Sequence, residues 1–139
     1  MGPAGDQLII KNEELRISKP VKADNPIQEK RYAFALRAVK LYRHLTEKKK
    51  EFVLSKQLLR SGTAIGANVE EAIGGQSRAD FLSKISIAYK EARETRYWLR
   101  LLKDANFLVP RDFESIFADV DELCRILSAI ITTTKQPAR

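Results

Sequence analysis

The apolar residues between positions 81 and 102 recur in alternating steps of four and three, which restricts the fold more than any other feature of the chain. The series is Phe81, Ile85, Ala88, Ala92, Thr95, Leu99 and Leu102. Such a step places every member on one side of an α-helix, as in the packing seam of a helical bundle. The same pattern returns near the C-terminus, in Phe113, Ile116, Phe117, Val120, Leu123, Leu127 and Ile130. Both helices must bury these seams against other helices.

Two earlier segments also show helical spacing. The first begins at Pro26, with Asn25 as its predicted N-cap, and the second covers residues 54–73. Gly74 and Gly75 are expected to end the second helix in the left-handed conformation that glycine readily adopts. Ser77 is then expected to cap the third helix, with Asp80 three residues later.

Four amphipathic helices with short links predict an all-α, up-down-up-down antiparallel four-helix bundle. The bundle is expected to cover residues 26–135, after a short N-terminal arm at residues 1–25. The sequence has 139 residues, enough for one domain with a real core.

The charge balance favours a polyanionic partner, because the formal net charge is +7. Residues 26–51 hold eight Lys or Arg against three acids, so one side of the domain should be more positive than another.

No apolar run reaches the ~20 residues that a membrane span needs. The start lacks the features of a signal peptide. Together with the single cysteine, Cys124, these features lead us to expect a cytoplasmic protein that has no membrane partner.

The stretch RSGTAIGANVEEAIGG, residues 60–75, is unusually rich in glycine and alanine. A phosphate-binding P-loop would need Lys and Ser after the second glycine and a strand before the first, and neither is found. The spacing of Gly62 and Gly66 instead predicts a helix that another backbone approaches closely, although a local kink is an alternative. Arg60, Asn68 and Glu71 flank this surface, and we expect them to make polar contacts between helices.

Two stretches carry a resemblance to a known family: LSKQLLRSGTAIGANVEEA at 54–72 and FLSKISIAYKEARETRYWLRLL at 81–102. The sequence resembles, over about residues 30–130, the four-helix-bundle family first described from intervening sequences in bacterial 23S ribosomal RNA genes. That broad family includes the accessory variability protein of diversity-generating retroelements. The resemblance implies a left-handed bundle that assembles into a ring-like homopentamer with a basic surface. It also implies a nucleic-acid-binding role without known enzymatic activity.

Catalytic and metal-binding patterns are not found in the sequence. A di-iron bundle needs Glu-x-x-His on two helices, whereas the chain has one histidine, His44, preceded three residues earlier by Leu41. A metal site made only of Glu71, Glu91 and Glu94 is conceivable, but pairing of these acids with nearby Arg and Lys is favoured. We therefore expect a protein that is not an enzyme and has no metal or cofactor.

The third helix carries a line of basic residues on the side opposite its seam. Ser86, Lys90, Arg93, Tyr97 and Arg100 follow the steps 4, 3, 4, 3, and Arg96 lies beside them. Cations that alternate with an aromatic ring suit a phosphate backbone and an exposed base, although a solvated surface is the alternative. The first helix adds Arg37, Lys40 and Arg43 to the predicted nucleic-acid-binding residues.

The first helix also carries a second apolar stripe, which consists of Tyr32, Leu36 and Val39. A monomeric bundle would expose this stripe, so it favours a subunit interface. Trp98, within the family-like stretch ETRYWLRLL, is expected to be structural.

These observations predict a homo-oligomeric, non-enzymatic protein that binds RNA or DNA mainly through phosphates. The alternative is an interaction scaffold that recruits a protein partner, for example a reverse transcriptase.

Overall fold

The computed structural model describes residues 26–137, which form four α-helices joined by short links. Helix α1 spans Pro26–Glu47, α2 spans Leu54–Ile73, α3 spans Arg78–Asp104 and α4 spans Pro110–Lys135. Helix α2 packs against α1 and α3, α3 packs against α4, and α4 returns to α1, so that α1 and α3 occupy opposite corners. The predicted all-α four-helix bundle is therefore confirmed. The predicted arm and the Asn25 cap lie outside the described residues.

The core consists of the apolar seams of all four helices. The α3 seam is buried as predicted, apart from the half-buried Phe81. Thr95, the polar member of that seam, is fully buried and its hydroxyl shares a 2.8 Å hydrogen bond with Ser61 of α2. No helix among residues 26–137 is both long and apolar enough to cross a membrane.

A buried glutamate caps the start of α2. One carboxylate oxygen of Glu51 accepts hydrogen bonds from the backbone N–H groups of Val53 and Leu54, at 3.1 and 2.8 Å. The other oxygen accepts the N–H of Ser55 at 2.7 Å. Glu51 thereby satisfies donors at a helix N-terminus that have no partner within the helix, and its negative charge lies at the positive end of the helix dipole.

The link between α2 and α3 corrects one prediction. Gly74 follows the last residue of α2 with φ −86°, and Gly75 also lies outside the left-handed region. Space is tight at position 75, because a Cβ there would lie 3.0 Å from Asp80 Oδ2 and 3.1 Å from the Ala72 carbonyl oxygen. Left-handed residues occur instead in the other two links, at Lys50 and Asn106.

The predicted cap of α3 is confirmed, since the Ser77 hydroxyl accepts the backbone N–H of Asp80 at 3.0 Å. The helix ends in a Schellman motif around Asn106, which has φ 68°. There the N–H groups of Asn106 and Phe107 donate to the carbonyls of Lys103 and Leu102, both at 2.9 Å. A side-chain cap at the start and a backbone motif at the end therefore fix the two ends of α3.

The glycine-rich stretch of α2 permits a close approach to α1, as predicted. A Cβ added to Gly62 would lie 3.0 Å from the Ala38 Cβ and 3.5 Å from the Phe34 ring. At Gly66 the nearest atom would be the Arg31 carbonyl oxygen, at 3.5 Å. The small residues thus act within the bundle, where Gly62 marks the tightest contact.

Candidate nucleic-acid interface

The line of basic residues on α3 forms one wall of a groove between α3 and α4. The groove has a volume of about 600 Å³. All five α3 residues that the sequence predicts to bind nucleic acid line it, together with one acid from α3 and one aromatic residue from α4. The lining residues are Lys90, Arg93, Glu94, Arg96, Tyr97, Arg100 and Phe117.

Three of the groove cations are available to a ligand. Lys90, Arg93 and Arg100 are exposed, and within residues 26–137 no carboxylate lies at ion-pair distance from any of them. The Arg93 guanidinium lies over the ring of Tyr89, 5.9 Å from its centroid, so one face of this cation is held by an aromatic contact. The groove therefore presents three positive charges that are not internally neutralised.

The acidic residue of the groove, Glu94, is already occupied by partners outside it. Its carboxylate accepts the indole N–H of Trp98 at 2.8 Å and forms an ion pair with Arg60 of α2. These two interactions, first the Trp98 hydrogen bond and then Arg60, lower the pKa of Glu94 below its ordinary value. Glu94 thus stays ionised, but the adjacent Arg60 offsets its charge.

Arg96 lies at the edge of the groove in a more compensated state. Its guanidinium donates to Asp121 of α4 at 2.8 Å, and Asp121 also pairs with Arg125. The hydrogen bond from Arg96, followed by the one from Arg125, lowers the pKa of Asp121. Arg96 consequently links α3 to α4. Because Asp121 offsets its charge, it adds little free positive charge to the groove.

The predicted role of Arg37 is wrong, because this residue is only 3% exposed. It lies in the contact between α1 and α4, where it donates to Asp119 at 2.7 Å and to the Ser115 hydroxyl at 2.9 Å. The sequence groups Arg37 with the other cations of α1, but the packing of α4 covers its side chain. Its guanidinium is committed to α4 and does not face a ligand.

The other α1 cations do not join the groove. Arg43 is exposed and Lys40 is half-buried, and both belong to a helix that lies diagonally opposite α3. The two basic surfaces that the sequence predicts are therefore separate.

Most of the predicted packing residues connect neighbouring helices. Glu71 of α2 pairs with Lys84 of α3 at 3.1 Å, and Arg60 reaches both Glu91 and Glu94. Trp98 is half-buried against the core, as expected of a structural residue.

Asn68 requires a correction. Its side-chain amide donates to the Ala64 carbonyl of its own helix, at 2.9 Å, and not to a neighbouring helix. A short amide side chain reaches the preceding turn more easily than the next helix.

The acids considered as metal ligands are among the residues just described, and each pairs with Lys or Arg. Within the described residues no group of three or more potential ligands comes together. Cys124 is buried in the core, and this burial raises the pKa of its thiol.

The second apolar stripe of α1 is partly open to solvent. Tyr32 is 62% exposed, whereas Leu36 and Val39 are half-buried.

Sequence reasoning missed the groove role of Phe117, which the heptad pattern assigned to the α4 seam. The available signal in the sequence was the i, i+4 spacing of Phe113 and Phe117, which indicates an aromatic surface wider than the seam. In the structure the centroids of the two rings lie 4.9 Å apart.

The fold and groove define a small helical bundle with an open basic surface, and the comparisons with known proteins agree with the fold. The model of the 23S rRNA-intervening sequence protein family matches residues 23–129. The chain belongs to this family.

One solved structure supports the assignment at the level of the fold and the sequence. It is a protein of unknown function from the S23 ribosomal protein family of Bacteroides thetaiotaomicron, 50% identical to this chain. The match covers 78% of this chain and 97% of that protein, with a TM-score of 0.77. A comparison with curated proteins finds no match. The relation to the retroelement accessory protein stays a prediction.

Proposed function

We propose that this protein is a non-enzymatic, homo-oligomeric nucleic-acid-binding protein that contacts the phosphate backbone through the groove between α3 and α4. The observation that carries the proposal is the set of three exposed cations, Lys90, Arg93 and Arg100, without a carboxylate at ion-pair distance among the described residues. Guanidinium groups bind phosphates in a bidentate manner, and ammonium groups add point charge. The net charge of +7 favours the approach of a polyanion.

Assembly would strengthen this binding. The exposed Tyr32, next to Leu36 and Val39, supplies an apolar surface for a second copy, and the family resemblance implies a homopentamer. Several copies of the groove in one particle would bind one nucleic acid multivalently, so that modest single contacts add up to a high avidity.

The test is binding of a labelled RNA hairpin and a labelled DNA duplex to the purified protein, measured by fluorescence anisotropy over a salt series. The logarithm of the affinity should fall linearly with the logarithm of salt, by roughly 0.7 to 0.9 per phosphate contacted. The double variant Arg93→Ala/Arg100→Ala should flatten this slope by roughly 1.4 to 1.8.

The matched control is Lys48→Ala/Lys49→Ala, which removes the same charge from exposed positions in the first link. It should leave the slope nearly unchanged. Equal effects of the two double variants would mean that net charge alone, and not the groove, attracts the nucleic acid. Absence of binding by the wild-type protein at low salt would contradict the proposal.

A second candidate function, a scaffold for a protein partner such as a reverse transcriptase, is favoured by a different surface. Phe52 and Val53, in the link that precedes α2, are 57% and 71% exposed. The adjacent Glu51 holds this link in place through its three backbone hydrogen bonds. Two adjacent exposed apolar side chains on a fixed link give a protein partner a small apolar surface to bury.

A further inference from the structure

Tyr97 occupies the middle of the groove cations. It lies four residues after Arg93 and three before Arg100, on the same side of α3, and 48% of its surface is exposed. The rise of an α-helix places the backbones of these two arginines about 10.5 Å apart, with the backbone of Tyr97 between them, and all three side chains line the groove. A phosphate contact on either side would therefore bring the intervening nucleotide to the ring.

The ring of Tyr97 packs against its neighbour on α3, Trp98. It makes an edge-to-face contact with Trp98, with ring centroids 5.0 Å apart and planes at 71°. Trp98 is in turn fixed by its hydrogen bond to Glu94, which pairs with Arg60 of α2. Tyr97 thus rests on a chain of contacts that reaches a second helix, so that little ordering is left to occur when a ligand binds.

The groove offers space and a second apolar wall. Its volume of about 600 Å³ lies within the range of small-ligand sites, and Phe117 of α4 contributes a half-buried ring to its lining. A base can enter such a groove only when it is not paired and stacked within a duplex. A duplex would present its phosphates to the cations but would leave the tyrosine ring without a stacking partner.

From this arrangement we infer that the groove between α3 and α4 selects unpaired nucleotides, with one base stacked on Tyr97 and the flanking phosphates held by Arg93 and Arg100. The inference rests on the proposed function and adds a ligand class to it, single-stranded nucleic acid. Stacking of a base on an aromatic side chain corresponds to an affinity gain of roughly 5- to 150-fold. That gain should appear as a preference for a single strand over a duplex.

The test compares one short labelled DNA strand, chosen to lack self-complementarity, with the same strand annealed to its complement. Wild-type protein should bind the single strand more tightly than the duplex at equal salt. Tyr97→Ala should lower the ratio of the two affinities by roughly 5- to 150-fold, whereas Tyr97→Phe should retain it because the ring is kept. Ile73→Ala, which removes an apolar side chain of similar exposure outside the groove, is the matched control and should leave the ratio unchanged.

Trp98 provides a second, independent readout, because it is the only tryptophan of the chain and it contacts the Tyr97 ring. At saturation, binding of the single strand should change the fluorescence of Trp98 more than binding of the duplex does. Equal or tighter binding of the duplex by wild-type protein would overturn the inference while leaving the proposed function intact. An unchanged affinity ratio in Tyr97→Ala would also overturn it, and failure to bind either probe would remove both.

Discussion

Gly62 and Gly66 lie one turn apart on α2 but have different surroundings, and the difference illustrates what a single residue contributes to this fold. A Cβ added to Gly62 would lie closer to the Ala38 Cβ than Cβ atoms normally come to their neighbours. A Cβ added to Gly66 would make only ordinary van der Waals contacts with Arg31. The sequence pattern treats the two glycines alike. Only the distance between α1 and α2 distinguishes them.

Gly62→Ala should therefore destabilise the protein although alanine is the better helix former. The new methyl group can be accommodated only if α1 moves away from α2, because Ala38 has no flexible side chain to displace. We expect a net loss of about 1–3 kcal/mol in the free energy of unfolding, measured by urea denaturation. Gly66→Ala is the control and should gain about 0.5–1 kcal/mol from the lower conformational entropy of the unfolded chain and better helix propensity. Equal effects at the two positions would refute the close-approach explanation.

At the scale of the element, the helix ends depend on individual side chains that differ from helix to helix. Ser77 caps α3 with a hydroxyl, Pro110 begins α4, and Glu51 caps α2 from three residues before its first residue. Serine followed by an acid three residues later is a recognised sequence signal, and it predicted the start of α3 correctly. A glutamate before a helix is a weaker signal, which is why the role of Glu51 became evident only in the structure.

Glu51→Ala should cost about 2 kcal/mol of stability, the upper range for loss of an N-terminal cap, because three backbone donors lose their acceptor. Glu51→Gln should cost less. Its carbonyl oxygen can replace the one that accepts Val53 and Leu54, while its amide group cannot accept the Ser55 N–H. Thermal unfolding followed by circular dichroism measures both. A glutamine variant as unstable as the alanine variant would contradict this assignment of the two oxygens.

At the scale of the whole molecule, the partly exposed apolar stripe of α1 leads to a prediction about assembly. Wild-type protein should sediment as an oligomer with a mass that is a multiple of 15.8 kDa. Tyr32→Glu should shift it toward the monomer, because the charge would be buried in an apolar interface. Phe52→Glu, at an equally exposed ring elsewhere, should leave the mass unchanged. A wild-type monomer in sedimentation velocity would rule out this use of the stripe.

The ion pairs between helices predict how the stability of the bundle depends on pH. Glu94 and Asp121 both have a pKa in the folded state below their ordinary values, caused mainly by the hydrogen bonds from Trp98 and Arg96 respectively. Between the folded and unfolded pKa values, the unfolded chain binds more protons, so stability falls as the pH falls through this range. The contribution of each group is fully present above its ordinary pKa, 4.5 for Glu94.

We expect the melting temperature to decrease as the pH is lowered from 6 toward 3, and Glu94→Gln should make this decrease shallower by removing one of the two groups. Glu114→Gln, on the exposed surface of α4, is the control and should retain the wild-type profile. Asp112 acts in the opposite direction, since burial raises its pKa and its protonation in acid favours the folded state. A Glu94→Gln profile parallel to that of the wild type would show that the Trp98 and Arg60 contacts do not stabilise the fold.

Within residues 26–137, the sequence by itself determined the number of helices, their approximate bounds and the seams that they bury. Apolar spacing and capping residues act over one or two turns, so neighbouring residues encode them. It also identified the line of cations and the tyrosine on α3, because residues spaced by three and four share one side of any helix.

Only the tertiary structure decided which of these features face solvent and which face a neighbouring helix. In the structure Arg37 is buried between α1 and α4, and the Asn68 amide bonds to its own helix. The groove lies next to Phe117. These outcomes depend on which helices meet and how closely they approach. That is set by the fit of side chains that are distant in sequence, and no local pattern records it.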